Sequence, residues 1–524
     1  MTQLLDRAWN SSLRRRSSSS ATNSSTAPAG RDARPSGARL VALAVLVAFG
    51  LCGCAQLERQ GEMLNGGAAP QGRLPPAVPR TLGGEQPSTA EHKELAAQFG
   101  GEYRFPSAER YIDDILVKLA QASDTPGQAA YKVTILNTPV VNAFALPNGN
   151  LYVTRGLLAL AGDASEAAAV MAHEIAHVSA RHSALRAERE REAEVISQAA
   201  AVIQSKQKGD DVRASQRLSF AGFSRLQELE ADAIGVRVVA RAGYDPYGAS
   251  RFLAALGKSA ELRAVLYGKK KTPDLDILAT HPSTPDRIAK AVSAARQISA
   301  PGAGARDREG YLAAINGLAY GDDPNDGFVR GRKFAHPRLR FAFVAPEGFL
   351  LENSSEAVFG VKEGDDEALR LDRVRAPVGK TLEAYVESGW VDGLLRSSMK
   401  RIDVNGLPAV VASARAGEWN FKLAVIQIDD ELYRLIFAVR ALDDAAERRF
   451  AASVATFRRS SWEESIDVRP LHLFIVSAGA DDTAESMAQR MVVPNRPLEY
   501  FQLLNGLEHG GRLTPGERYK LVVE

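Results

Sequence analysis

Two histidines stand four residues apart in the stretch AHEIAH, and a glutamate directly follows the first. The alanine-rich run that begins at Ser165 predicts a helix, with Ser165 as its N-cap and Glu166 at the positive end of its dipole. Residues four apart leave one face of a helix, so His173 and His177 could bind one tetrahedral metal ion. Glu174 projects about 100° away from His173. It could therefore act on a metal-held water as a general base.

A hydrolytic zinc site needs a third protein ligand and keeps its fourth position for water. The stretch SRLQELEADAIGVRVVARAGYDP, residues 224–246, has helical apolar spacing and ends in a glycine-containing stop. Glu228 and Asp232 share one face of this helix, so Glu228 could be the third ligand and Asp232 could orient a ligand histidine. Glu230 competes for the ligand role but lies on nearly the opposite face. Each pattern alone also fits a solvated helix, whereas together they favour one Zn²⁺ per chain.

One further histidine, His281, stands before Pro282 in a predicted loop. It could act in catalysis by stabilising the oxyanion, or it could occupy the open metal position and hold the site inactive. A third interpretation is that it caps the helix predicted to begin near Pro285. His182, nine residues beyond His173, is predicted to lie on the surface.

The segments HEIAH, SRLQELEAD and AGYDP together resemble the HtpX and CAAX-prenyl-protease family of gluzincins, and within it the soluble periplasmic BepA/YfgC type. The resemblance covers about residues 91–296. It implies a mainly helical metalloprotease domain with a small sheet. The roles that it implies are zinc ligation by His173, His177 and Glu228, general-base catalysis by Glu174, and orientation of a ligand by Asp232.

The stretch NAFALPNGNLYVTRGLLAL, residues 142–160, resembles the strand and helix that precede the catalytic helix in this family. The first strand could bind an extended substrate peptide along its edge, because backbone hydrogen bonds give affinity with little sequence selectivity. Simple core packing is the alternative interpretation of this strand. The substrate-binding residues expected on it are Asn142, Ala143, Phe144 and Ala145.

The N-terminus is typical of a secretion signal. A basic, Ser-rich stretch precedes a twelve-residue apolar run, residues 40–51, which suits a signal-peptide core and is too short to span a bilayer. The following LCGC resembles a bacterial lipobox with Cys54 as the lipidated residue, and a plain signal peptide is the alternative. Both cysteines of the chain lie here, so disulfides, thiolate zinc sites and cysteine nucleophiles are excluded from the rest.

The sequence divides into six predicted segments. Residues 1–54 are assigned to the signal peptide and its N-terminal extension, and 55–88, rich in Gly and Pro, to a flexible tether. The later segments are a zinc metalloprotease domain at 89–300, a connector at 301–335, an α+β domain at 336–462 and a small domain at 468–524. The expected fold class is therefore α+β and multidomain.

The last two domains carry weaker resemblances. The order of strands and helices in 336–462 is similar to PsbP-like domains. The segment GADDTAESMAQRM and the LTPGERYKLVV near the end resemble a degenerate LysM unit, which would bind N-acetylglucosamine polymers such as peptidoglycan. The extra residue in GADDT departs from the usual Gly-Asp-Thr, so a small spacer or partner module is an equal alternative.

These patterns favour a lipid-anchored, periplasm-facing zinc metalloendopeptidase of the bacterial cell envelope. An aspartate directly after the lipidated cysteine would resemble an inner-membrane retention signal. Ala55 occupies this position instead, so the outer membrane is the expected location. The family resemblance implies envelope protein quality control, with unfolded or misassembled envelope proteins as substrates. The alternative is an envelope binding or chaperone-like protein with a latent zinc site. A formal charge of +2 gives no reason to expect nucleic acid, and a membrane-embedded prenyl-protein protease is disfavoured because no apolar run is long enough.

Overall fold

The computed structural model describes most of the chain beyond residue 88. The described residues are 89–124, 131–146, 148–182, 184–185, 225–267, 277, 281, 284–354, 357–362, 367–466, 469–493, 495–508 and 510–524. The predicted signal peptide, Cys54 and the tether at 55–88 lie outside them. Among the described helices, none is long and apolar enough to cross a membrane.

The N-terminal part is mainly helical and contains a small sheet, as the sequence predicts. Its elements are α1 (Thr89–Gln98), α2 (Pro106–Ala122), β1 (Lys132–Leu136), β2 (Ala143–Ala145), β3 (Asn150–Thr154), α3 (Arg155–Leu160), α4 (Ala164–Ser179), α5 (225–241), α6 (Gly248–Tyr267) and α7 (Pro285–Ile298). The strand order is β1-β3-β2, with β1 parallel and β2 antiparallel to β3. Strand β2 is therefore at an edge of this sheet.

Helix α4 is buried along most of its length, from Ala164 to His177. Small alanines make this possible, because they let neighbouring helices approach on every side. The predicted N-cap is wrong by two residues: the Asp163 carboxylate accepts the hydrogen bond from Glu166 N, and the Ser165 hydroxyl donates to Asp163.

Helix α5 crosses α4 at a glycine. A Cβ on Gly235 would lie 3.2 Å from the backbone nitrogen of His173 and 3.4 Å from the carbonyl carbon of Ala172. Such contacts are tighter than ordinary van der Waals packing, so Gly235 permits the close approach of the two helices that the metal-site prediction requires.

A β-rich part follows and confirms the prediction of mixed strands and helices. Its elements are α8 (Arg308–Ile315), β4 (Ala319–Tyr320), β5 (Phe328–Arg330), β6 (Lys333–His336), β7 (Phe341–Val344), β8 (Phe349–Asn353), β9 (Ala357–Lys362), β10 (Glu367–Arg375), α9 (Leu382–Val386), β11 (Leu394–Val404), β12 (Leu407–Ala416), β13 (Trp419–Ile428), β14 (Glu431–Val439), α10 (Asp444–Ala455), β15 (Arg458–Arg459) and α11 (Trp462–Ile466). An antiparallel seven-stranded sheet has the order β11-β12-β13-β14-β10-β9-β8, and a four-stranded sheet has the order β15-β7-β6-β5. Apolar residues of both sheets and of α10 form one core.

The C-terminal module consists of a strand, two helices and a strand. Its elements are β16 (Leu471–Ser477), α12 (Ala484–Ala488), α13 (Pro497–Asn505) and β17 (Arg518–Val523). Strand β16 pairs antiparallel with both β17 and β4, and β4 belongs to the predicted connector. Met487, Phe501 and Leu521 share a hydrophobic core with Ala168 of α4, so the module packs onto the helical part. The resemblance of this module to LysM stays a prediction.

Candidate metal centre

Four potential metal donors converge where α4, α5 and the residue His281 meet. One ligand atom from each of His173, His177, Glu228 and His281 can be chosen so that all lie within 4.8 Å of one another. The α4 and α5 residues are those expected from the sequence, and the i, i+4 spacing on α4 places both imidazoles on one face. The structure thus brings together residues that are more than fifty positions apart in the chain.

The distances within this cluster fit a tetrahedral zinc ion. The His177 Nε2 and His173 Nε2 atoms are 3.0 Å apart, and each lies 3.4 Å from an oxygen of Glu228. A Zn–N bond of about 2.05 Å gives tetrahedral edges of roughly 3.3 Å between ligand atoms. The donor set therefore fits zinc in both chemistry and spacing.

The second nitrogen of each α4 histidine has its own partner. Asp232 Oδ1 lies 3.0 Å from His173 Nδ1, and Asp232 also receives two hydrogen bonds of 2.8 Å from the guanidinium of Arg287. His182 Nδ1 lies 2.9 Å from His177 Nδ1. Contacts at Nδ1 turn both Nε2 atoms toward the ion position, which is the usual arrangement around metal-binding histidines.

The structure corrects the sequence prediction for His182 and adds Arg287 to the site. His182 is buried, with 2% of its surface exposed, so its predicted surface position is wrong. Arg287, in the first turn of α7, was not predicted, although its Nη1 also lies 3.0 Å from Glu228. Glu230 is half exposed and contacts His182 at 3.4 Å, so it does not compete with Glu228 within the cluster.

Electrostatics keep the carboxylates of the cluster ionised. Burial would raise the pKa of Glu228, but hydrogen bonds from three histidines hold it well below its usual range. Burial likewise opposes the ionisation of Asp232, yet Arg287 lowers its pKa to about 2. Burial lowers the pKa of His177 to about 3, which keeps this imidazole neutral, whereas contacts with Asp232 and Glu228 overcome burial and raise the pKa of His173 to about 10. The negative field that favours a proton on His173 would equally favour a metal cation.

Glu174 lies beside the cluster and is almost fully buried. Its Oε1 accepts no hydrogen bond from any described residue and lies 3.9 Å from His281 Nε2. Burial raises the pKa of this carboxyl group, and the nearby histidines oppose that effect. A buried carboxylate with a raised pKa and an unused oxygen is suited to accept a proton.

His281 belongs to the cluster and does not cap α7. Its Nδ1 lies 3.0 and 2.9 Å from the two oxygens of Glu228 and 3.3 Å from His173 Nε2. The N-cap of α7 is Thr284, whose hydroxyl accepts a hydrogen bond from Arg287 N. The capping interpretation is therefore wrong, and the two interpretations that place His281 in the site remain.

The predicted substrate strand lies at the edge of its sheet, next to α4. Backbone hydrogen bonds to β3 are made by Asn142 and Leu146, and in an antiparallel pair such bonds alternate along the strand. The backbone groups of Ala143 and Ala145 therefore face the outer edge. The Phe144 ring stacks on Tyr152 at 4.8 Å, so its side chain packs in the core.

The outer edge is already used just before this strand. Ile277 N donates a 2.9 Å hydrogen bond to the Val141 carbonyl. A residue in a helical conformation, four positions before His281, thus hydrogen-bonds to this edge at one point.

Comparisons with known proteins agree with this geometry. Residues 106–295 match the family model described as Peptidase family M48. The beta-barrel assembly-enhancing protease of Escherichia coli (strain K12) is 31% identical over 206 residues, which cover 37% of this chain and 40% of that protein. The mitochondrial metalloendopeptidase OMA1 of Arabidopsis thaliana is 31% identical over 205 residues, 36% of this chain and 40% of that protein. The chain thus spans about two fifths of the length of these relatives.

A solved structure, cyanobacterial PsbP (CyanoP) from Synechocystis sp. PCC 6803, aligns over 26% of this chain and 98% of its own. The TM-score is 0.21 and the identity is 17%. The PsbP-like assignment of 336–462 stays a prediction. The family match covers the helical part of the chain. The residues of the HEIAH and SRLQELEAD motifs that converge on the metal-donor cluster lie in the same part. Residues 106–295 of this chain therefore match the peptidase domain of family M48, and the same part of the chain is similar to the beta-barrel assembly-enhancing proteases.

Proposed function

We propose that this chain is a zinc-dependent metalloendopeptidase that hydrolyses peptide bonds in unfolded or misassembled proteins. The observation that carries the proposal is the set of four donors within 4.8 Å beside a buried glutamate with an unused oxygen. Burying three imidazoles and two carboxylates together costs free energy, because each polar group loses its hydration. A purely structural core would therefore be expected to contain apolar side chains at these positions.

The ion would be held by His173, His177 and Glu228. Zinc held by these residues would supply a Lewis acid that polarises the peptide carbonyl and lowers the pKa of water into the neutral range. Glu174 is placed to take the proton from that water and to pass it to the departing amine. Asp232 and His182 orient the two imidazoles through their Nδ1 atoms.

Substrate would pair with the outer edge of β2. The backbone groups of Ala143 and Ala145 face that edge, and Asn142 and Phe144 support the strand from its inner side. Recognition through backbone hydrogen bonds suits a protease that acts on many unfolded chains, because it requires extended backbone rather than one sequence.

His281 has two possible roles in this mechanism. Its Nδ1 lies with the three proposed ligands, so His281 could take the fourth position that a hydrolytic zinc site keeps for water. In the first role it moves away and stabilises the oxyanion of the substrate. In the second role it keeps the site latent. The position of His281 within the donor cluster is thus the observation that favours an envelope binding or chaperone-like function as the second candidate.

We place the protein in the bacterial cell envelope as a periplasm-facing lipoprotein of the outer membrane, anchored through Cys54. The support is the lipobox-like LCGC segment and the similarity to the Escherichia coli beta-barrel assembly-enhancing protease. Quality control of envelope and outer-membrane proteins follows as the biological role. Binding of peptidoglycan by the C-terminal module is part of the proposal, and its support is the LysM-like LTPGERYKLVV segment.

Zinc content and casein cleavage, measured on the purified mature protein, test the proposal. We expect about one zinc per chain, and we expect Glu174→Gln to retain that zinc while cleavage falls by at least a hundredfold, as general-base catalysis contributes about 10²- to 10⁴-fold. Glu261→Gln, on the exposed face of α6, is the matched control and should leave both unchanged. Undiminished cleavage by Glu174→Gln would refute the proposed mechanism. Complementation of a deletion strain by Glu174→Gln would instead favour the chaperone-like function.

A further inference from the structure

A cavity of about 540 Å³ opens between the two sheets of the β-rich part. It is walled by β6 and β7 on one side and by β9, β10 and β14 on the other. None of its lining residues belongs to the metal centre. Its volume lies within the range of roughly 300–1,000 Å³ that small-ligand sites occupy.

The inner wall of the cavity is apolar and aromatic. Phe334, Phe341, Leu371 and Tyr433 line it, and each has less than a twentieth of its surface exposed. The rings of Phe341 and Tyr433 are 4.6 Å apart, which makes a rigid floor for an apolar group.

The rim of the cavity is cationic. Arg338 is exposed, and no described residue forms a hydrogen bond or ion pair with it. Arg373 stands across the rim and donates a 2.9 Å hydrogen bond to Glu431, outside the cavity lining. Asp372 also lines the cavity, but its two oxygens already accept from Arg434 and Arg370 at 2.6 and 2.9 Å.

His336 places a neutral donor below this rim. Its Nδ1 accepts a 3.3 Å hydrogen bond from Leu339 N, which leaves the ring hydrogen on Nε2. Burial lowers the pKa of His336 to about 4, and the charges of Arg373 and Arg338 add to that effect. The imidazole is therefore neutral at pH 7, in a positive local field. Asp326 is the opposing acid in the lining, and burial together with Asp323 raises the pKa of its carboxyl group.

We propose that this cavity binds the free C-terminal end of a peptide that finishes in a large apolar residue. The carboxylate would lie between Arg338 and His336 Nε2, where charge-assisted hydrogen bonds are strongest. The terminal side chain would lie on the aromatic floor. Asn353 Oδ1, a buried lining acceptor without a donor among the described residues, would receive a peptide N–H. A fatty acid shares the carboxylate and the apolar chain but has no such donor, so the peptide fits the site better.

Fluorescence anisotropy on the full chain tests this inference without depending on the proposed protease activity. The chain carries Glu174→Gln so that the probe is not cut, and the probe is a dye-labelled hexapeptide ending in Leu-Phe with a free carboxylate. We expect saturable binding, and we expect a C-terminally amidated twin to bind at least about tenfold more weakly, the loss typical of one charge-assisted hydrogen bond. Decanoate should displace the probe only weakly.

Arginine variants locate the site. Arg338→Gln should weaken binding by about tenfold, whereas Arg375→Gln, an exposed arginine at the end of β10 and outside the cavity lining, should change it less than about twofold. Equal binding of the acid and the amide, equal losses in the two arginine variants, or tighter binding of decanoate than of the peptide would each overturn the inference. Because Arg338 is exposed, thermal melting of its variant should match that of the parent.

Discussion

Replacing Asp232 by asparagine should weaken zinc binding by about 10- to 100-fold, the usual effect of losing a carboxylate behind a ligand histidine. In the structure Asp232 contacts His173 Nδ1 at 3.0 Å and accepts two hydrogen bonds from Arg287. Asparagine has nearly the same shape but no charge, so it holds the imidazole less firmly. The loss corresponds to about 1.4–2.7 kcal/mol of binding free energy.

The structure places the expected loss near the upper end of that range. Arg287 Nη1 lies 3.0 Å from Glu228, and Arg287 would lose its ionic partner in the Asp232→Asn variant. Its charge would then be balanced only by Glu228, which is also the proposed zinc ligand, so guanidinium and zinc would compete for one carboxylate.

Competition with a chelator of known affinity measures this effect at fixed pH. Asp245→Asn is a suitable control, because Asp245 is also buried and pairs with an arginine, Arg251 at 2.8 Å, outside the cluster. An unchanged zinc affinity in Asp232→Asn, or an equal loss in Asp245→Asn, would refute the assignment of Asp232 as the residue that orients His173.

Three further predictions concern stability and helix spacing. His336 has a pKa near 4 in the folded state and about 6.5 when unfolded, so the unfolded state binds more protons between these values and acid destabilises the fold. Between pH 8 and pH 5, protonation of this residue in the unfolded state should lower the free energy of unfolding, measured in urea, by about 2 kcal/mol. This decrease should disappear in His336→Gln and should persist in His472→Gln. Gly235→Val should push α5 from α4 and lower zinc content, whereas Gly243→Asn, at a left-handed position with open space, should not. Lys520→Met should lower the unfolding free energy by about 1–3 kcal/mol, because the carbonyls of Ala159 and Ala161 lose the ammonium donor at 2.7 and 2.8 Å; an unchanged urea midpoint would contradict this.

The core of the metal centre could be predicted from spacing because helices impose it. Residues four apart share a face of a helix whatever surrounds them, so the pairs His173–His177 and Glu228–Asp232 follow from the spacing alone. The two pairs can meet only because Gly235 lets α5 approach α4 closely. The sequence shows that this residue is a glycine, but it does not show that the glycine contacts α4.

The residues that were missed depend on tertiary turns. Extending α4 as far as His182 predicts a surface position for this residue. The helix ends at Ser179, however, and Arg181 takes a left-handed conformation with φ of 57°, which brings His182 into contact with His177. Arg287 in the first turn of α7 is typical of a solvated position, and only the packing of α7 against α5 makes it a partner of the carboxylates.

The burial of two charged residues in β10 also depends on tertiary contacts. The segment of β10 carries Arg370 and Asp372, and such charges usually mark exposed loops. In the structure both are buried, because Asp372 pairs with Arg370 and with Arg434 of the neighbouring β14. Buried ion pairs between strands are set by sheet register, which local sequence does not reveal.

The most direct test of the central claim is the zinc content of Glu228→Gln compared with Glu230→Gln. Both changes remove one carboxylate from α5, but only Glu228 lies within 3.4 Å of the α4 histidines, while Glu230 points to His182. We predict that Glu228→Gln loses most of its zinc after dialysis and that Glu230→Gln retains about one ion per chain. Full retention of zinc by Glu228→Gln would show that α4 and α5 do not hold one ion between them.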